Sequence, residues 1–110
     1  GPPPDEPVAR LRPPSCDSCG GRARPGVVWF GETLPAAPWE AAVAAVSTAS
    51  AVLVVGTSGL VHPAASLPGL AADAGAAVVE VNPGPSGLGN AISVHVRAPA
   101  GQVIGALLAR

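Results

Sequence analysis

Cys16 and Cys19 are the chain's two cysteines, and their C-x-x-C spacing suits zinc ligation, a redox pair or a small disulfide loop. Two thiolates are half of a structural zinc site, which takes four ligands. Gly20 and Gly21 follow directly and let backbone N–H groups approach the sulfurs, so residues 16–21 look like a metal knuckle. Two further stretches could hold a ligand. Gly56-Thr57-Ser58-Gly59 leaves backbone N–H and hydroxyl groups free for a phosphate or a ribose. Asn82-Pro83-Gly84 offers a side-chain amide to ribose hydroxyls. Each also reads as a plain tight turn after a strand. His62 and His95 are the only histidines; one precedes Pro63 in a loop, the other falls in a strand, and both are read as structural. Glu32 as a general base has no second titratable group in fixed relation to it, and no Ser/His/Asp arrangement occurs, so no catalytic residue is assigned.

These residues need elements to hold them. Residues 1–15 carry Pro2, Pro3, Pro4, Pro7, Pro13 and Pro14, which predicts an extended proline-rich linker. Residues 27–30, Val-Val-Trp-Phe, form a short β-prone run stopped by Gly31. Trp39, Ala42, Val43 and Val46 recur at helix spacing, with Pro38 near the first turn and Glu40 favouring the positive N-terminal end. The unbroken apolar run 51–55 predicts a strand buried on both faces of a parallel sheet. A helix starting near Ser66 and Pro68 should place Leu67, Leu70, Ala71 and Ala74 on one face and end at Gly75 as its C′ residue. Residues 76–81 and 92–96 are two more candidate strands, and 99–108 reads as a closing helix that Gly105 weakens by about 1 kcal/mol. Strand, helix, strand, then strand and helix is the pattern of a parallel α/β sheet, of which this is half. In such sheets ligands bind at the carboxyl ends of strands, where both small-residue turns fall.

Bulk properties set the outer limits. The 110 residues suffice for one domain. A formal net charge of −1 with 12% charged residues argues against capture of nucleic acid or an anionic membrane. Hydrophobic residues at 48% support a core, while 14 glycines and 14 prolines fall mostly between the apolar runs. No apolar stretch approaches the roughly 20 residues that span a bilayer, and no signal-peptide pattern opens the chain, so a soluble cytoplasmic protein is expected.

Arg24-Pro25-Gly26-Val27-Val28-Trp29-Phe30-Gly31-Glu32 resembles the R-P-x-V-V-W-F-G-E segment of sirtuins, which in that family follows the second zinc cysteine pair. Gly56-Thr57-Ser58-Gly59 with Pro63-Ala64-Ala65 is similar to the family's G-T-S-G-x-x-x-P-A-A, and Val79-Glu80-Val81-Asn82-Pro83 to its V-E-x-N strand end. Order and spacing hold over residues 16–108. The W-F-G-E form and Leu88-Gly89-Asn90 look most like the bacterial and mitochondrial desuccinylase-type branch.

The resemblance implies an NAD-dependent protein-lysine deacylase that transfers an acyl group to ADP-ribose and releases nicotinamide. It implies residues 16–26 as part of a zinc knuckle and 27–110 as the C-terminal part of a Rossmann-like NAD-binding domain. Cys16 and Cys19 would be two zinc ligands. Phe30, Gly31 and Glu32 would lie in the segment that pairs strand to strand with an acyl-lysine peptide. Gly56, Thr57 and Ser58 would contact NAD, Asn82, Pro83 and Gly84 its adenosine side, and Ala100 the adenine through its backbone. The family's Gly-Ala-Gly phosphate loop, catalytic histidine, first cysteine pair, and acyl-selecting Tyr and Arg are not among the 110 residues, and the chain holds no tyrosine. The chain is therefore expected to begin mid-protein, to be inactive alone, and to need the missing N-terminal half in cis or in trans. A different class of reading is a non-enzymatic NAD or ADP-ribose-binding remnant acting with another chain. A zinc-knuckle interaction module is a third, for which only His62 and His95 remain as further ligands.

Overall fold

Valine-rich runs without polar alternation pair in parallel, and three such runs do so here. β1 (Ala51–Val55), β2 (Ala77–Val81) and β3 (Val94–Val96) form one sheet in the order β1-β2-β3, with every pairing parallel. The register aligns Val55, Val81 and Val96, so the three strands end together on one edge. These elements come from a computed structural model that describes residues 9–109. The chain divides into two units, one ending at Leu34 and one beginning at Pro35. The expected proline-rich linker lies outside the described residues as far as residue 8, including Pro2, Pro3, Pro4 and Pro7.

In the second unit α1 (Ala36–Thr48) precedes β1, α2 (Leu67–Asp73) connects β1 to β2, and α3 (Ala100–Leu108) follows β3. Trp39, Ala42, Val43 and Val46 form the partly buried stripe of α1, at the spacing the sequence predicts. Pro38 lies in its first turn, but Glu40 stands one residue beyond it, and that turn holds no acidic residue. α2 ends on Gly75 at φ 93°, with Gly75 N–H donating to Ala72 and Ala76 N–H to Ala71, which satisfies two carbonyls at the helix end. Its buried face differs from the predicted one: Pro68 and Ala71 are buried, whereas Leu70 and Ala74 are exposed. Val54, Ala71, Ala76 and Val78 form the core, with Val46, Val52, Ala72, Leu88 and Ile92 packed against it.

Two further expectations need correction. β1 is not buried on both faces: Leu53 is 51% and Val55 40% exposed. As an edge strand, β1 has its other face and its free edge uncovered by the described residues, which no apolar run can reveal. Residues 27–30 are not a strand. The Trp29 N–H donates to the Glu32 carboxylate and the Glu32 N–H to the Trp29 carbonyl, closing a turn in which Gly31 takes φ 85°. Local side-chain bonds to the backbone have displaced strand pairing. In that first unit the only bridge among the described residues joins Ser15 to Arg22.

Candidate functional site

The common edge of the three strands gathers the turns that the sequence singles out. Gly56 and Asn82 each stand one residue beyond the aligned Val55 and Val81. Gly56 N–H continues the ladder to the Val81 carbonyl at 3.1 Å, and Asn82 N–H does so to Val96 at 3.1 Å. Arg97 closes the row after β3, and α3 begins three residues later at Ala100.

Asn82 ties this edge together. Its Nδ2 donates to the Thr57 carbonyl at 2.7 Å, and its Oδ1 accepts the Gly84 N–H at 3.2 Å. The His95 Nε2 lies 3.0 Å from the Asn82 carbonyl. A carbonyl only accepts, so that nitrogen carries the proton. Gly56 takes φ 66°, a conformation that favours glycine, and among the described residues nothing beyond its two chain neighbours comes within 4 Å of where a Cβ would stand. Its backbone is open to a ligand. Thr57 Oγ1 accepts the Gly59 N–H and Ser58 Oγ accepts the Leu60 N–H, which leaves both hydroxyl protons available as donors. At Gly87 a Cβ would meet the Ser58 carbonyl at 2.5 Å, so the two loops touch through backbone that only glycine permits. Beside them opens an apolar depression of about 380 Å³, lined by Val52, Val54, Thr57, Val61, Leu67 and Leu88 among others. Two free hydroxyl protons and a fixed amide, beside backbone that a ligand can approach at Gly56, make a strand-end surface suited to ribose and phosphate groups. Pro83 and Gly84 follow Asn82 in the same turn, and Ala100 has one of the first N–H groups of α3, which helices leave unpaired.

Glu80 is the anomaly beneath this edge. It sits in the middle strand in register with Val54 and His95, fully buried, and neither carboxylate oxygen has a hydrogen-bond partner among the described residues.

The first unit holds the other candidates. Cys16 N–H donates to the Gly21 carbonyl at 2.7 Å, Gly20 N–H to the Cys16 carbonyl at 2.8 Å, and Gly21 N–H to Cys19 Sγ at 3.4 Å. The Cys16 thiol is held below its ordinary range, first by the Cys19 backbone N–H and next by that of Ser18. N–H groups aimed at sulfur favour thiolate, the form that ligates zinc. Among the described residues no group of three or more His, Cys, Asp or Glu could hold a metal.

Phe30, Gly31 and Glu32 lie in the turn described above. The Arg24 guanidinium meets Glu32 Oε1 at 2.6 Å and Oε2 at 2.9 Å, donates to the Val27 carbonyl at 3.0 Å, and stacks 4.3 Å from the Trp29 ring centre. Arg24 holds the Glu32 carboxyl below the ordinary glutamate range, with a smaller contribution from the Trp29 N–H. Sequence reasoning missed this constellation and the His95–Asn82 contact. The first had a signal, since Arg24 and Glu32 bracket the most distinctive segment of the chain; the second depends on register between distant strands.

A profile of the Sir2 family matches residues 5–63. An NAD-dependent protein deacylase of Mycobacterium tuberculosis (strain ATCC 25618 / H37Rv) is 50% identical over 105 residues, 96% of this chain and 44% of that protein. One from Corynebacterium glutamicum is 55% identical over 80 residues, 73% of this chain and 31% of the relative. Among solved structures, a Sir2 homologue in complex with NAD is similar with a TM-score of 0.81 and 41% identity, covering 94% of this chain and 40% of that one. A Sir2 bound to acetylated peptide gives a TM-score of 0.78 at 31% identity, covering 87% of this chain and 40% of that one. The chain thus spans less than half the length of the curated relatives it matches.

Proposed function

The chain belongs to the Sir2 family, and from that premise we propose that it forms the C-terminal part of the Rossmann-like NAD-binding domain of an NAD-dependent protein-lysine deacylase. The observation that carries the reading is the Asn82–Thr57 bond, which joins the two turns at the aligned strand ends into one polar surface. Its support from outside is the likeness to a Sir2 homologue in complex with NAD.

Bound NAD would supply an ADP-ribosyl acceptor for the acyl group, with nicotinamide as the leaving group. The chain's own residues bind and orient it. Gly56 allows close approach of backbone, Thr57 and Ser58 donate hydroxyl protons, and Asn82, Pro83 and Gly84 shape the adenosine side. Ala100 offers its N–H to the adenine. Cys16 and Cys19 hold a structural zinc together with two ligands from outside residues 9–109, within a knuckle over residues 16–26. Phe30, Gly31 and Glu32 pair through their backbone with the acyl-lysine peptide. The W-F-G-E form and Leu88-Gly89-Asn90 favour the desuccinylase-type branch, acting in the cytoplasm.

None of the assigned residues is a general base, so these 110 residues alone do not deacylate. A second reading follows from that gap: a non-enzymatic NAD or ADP-ribose-binding chain that works with another polypeptide. Incubating the intact protein with NAD and an acetyl- or succinyl-lysine peptide distinguishes them by mass spectrometry. Deacylated peptide and nicotinamide in equal amounts support the deacylase. ADP-ribose binding without turnover supports the second reading.

A further inference from the structure

Residues 27–32 belong to no helix or strand, yet they are tied at four points by two side chains. Arg24 grips both oxygens of Glu32, at 2.6 and 2.9 Å, and the Val27 carbonyl at 3.0 Å. It also lies over the Trp29 ring at 4.3 Å. Glu32 in turn accepts the Trp29 N–H at 3.1 Å. The result is a closed turn with Phe30 at its tip, 91% exposed.

We propose that Arg24 is a positioning residue for substrate: its grip on Glu32 and Trp29 sets residues 27–32 in a preformed shape that presents Phe30 and the neighbouring backbone to the acyl-lysine peptide. This rests on the reading of that segment as substrate-pairing. Preformation matters because a loop that must be ordered on binding subtracts its ordering entropy from affinity. The clamp also fixes what Glu32 can offer. Its carboxylate is committed to Arg24 and to the Trp29 N–H, so a peptide meets its backbone and an apolar tip instead of an open negative charge. The shifts agree with the geometry: Glu32 raises the Arg24 value, and Arg24 lowers that of Glu32. Lysine cannot substitute, because a point charge neither forks onto both oxygens nor stacks flat on an indole.

The test uses the intact protein with R24K and, as a second variant, E32Q. Both positions are partly exposed, at 49% and 38%, so the fold tolerates either change. Hydrogen exchange over residues 27–32 should accelerate about three- to five-fold, the range an exposed ion pair supports. Affinity for a fluorescein-labelled acetyl-lysine peptide should fall by a similar factor, while affinity for ADP-ribose stays unchanged. Unchanged exchange in both variants overturns the clamp. Faster exchange with unaltered peptide affinity overturns the positioning role. Faster exchange in the variants together with wild-type protein that captures no peptide overturns the substrate reading beneath it, and the positioning role with it, while the clamp stands as a fold element.

Discussion

The side-chain amide of Asn82 donates to the carbonyl of Thr57 across 2.7 Å, joining loops 25 residues apart in sequence. The same residue binds Val96 through its N–H and faces His95 through its carbonyl. One side chain therefore sets the relative position of the turns after β1 and β2, and one backbone unit links them to β3.

Replacing Asn82 with alanine should loosen the Gly56–Ser58 turn and lower ADP-ribose affinity of the intact protein about ten-fold, equivalent to roughly 1.4 kcal/mol. The loss of stability should stay near 1 kcal/mol, the net worth of a neutral hydrogen bond. Calorimetric titration and thermal unfolding measure the two effects separately. Wild-type affinity in N82A would remove Asn82 from the ligand-binding role.

The Arg24–Glu32 clamp makes a pH prediction. Glu32 titrates below the ordinary glutamate range in the folded chain, first because of Arg24 and then because of the Trp29 N–H. A carboxyl with a depressed folded value contributes stability that is fully present above its unfolded pKa and is lost as pH falls through the folded one. Trp29 emission, followed in a Trp39→Phe background, should stay constant through the ordinary glutamate range and change only at more acid pH. R24K should bring that transition up towards the ordinary range.

Much of the second unit was legible in the sequence. The run 51–55 became β1 without adjustment, because Ser50 and Gly56 bound an apolar segment too short for a helix. Gly75 marked the end of α2, since its positive φ is one that other residues avoid. The candidate turns were visible because small polar residues follow each of the first two strands. The bond between them was not, as it requires knowing that β1 and β2 are parallel neighbours in a particular register. Residues 27–30 misled for a related reason. Their β-prone composition describes side chains that suit a strand, but Arg24 takes the Val27 carbonyl and Glu32 the Trp29 N–H, which folds the run into a turn. The exposure of Leu53 and Val55 was likewise hidden, because burial depends on neighbours that the run itself does not contain.

Glu80 should be replaceable at a gain. A buried carboxyl without partners costs free energy that an apolar group of similar volume does not, and both Glu80 oxygens lack partners among the described residues. Glu80→Leu should raise stability by about 1–3 kcal/mol in denaturant unfolding of the intact protein. A loss of similar size would mean that Glu80 is held by a bond these contacts do not include.

Metal content tests the knuckle. The intact protein should carry one zinc, and Cys16→Ser or Cys19→Ser should lower its occupancy at least ten-fold, since a structural site needs its full set of ligands. The 110 residues by themselves should retain little metal after dialysis, with two thiolates to hold it. Full zinc occupancy in either variant would show that these thiolates are not ligands.

The most direct measurement is hydrogen exchange of the intact protein with and without ADP-ribose. Slower exchange across residues 56–60, 82–84 and 97–101 is the expected result, because these segments leave the sheet on one edge and form the proposed binding surface. Saturating ligand that leaves all three segments unprotected, or protects only residues elsewhere, would contradict the assignment of this edge to the cofactor.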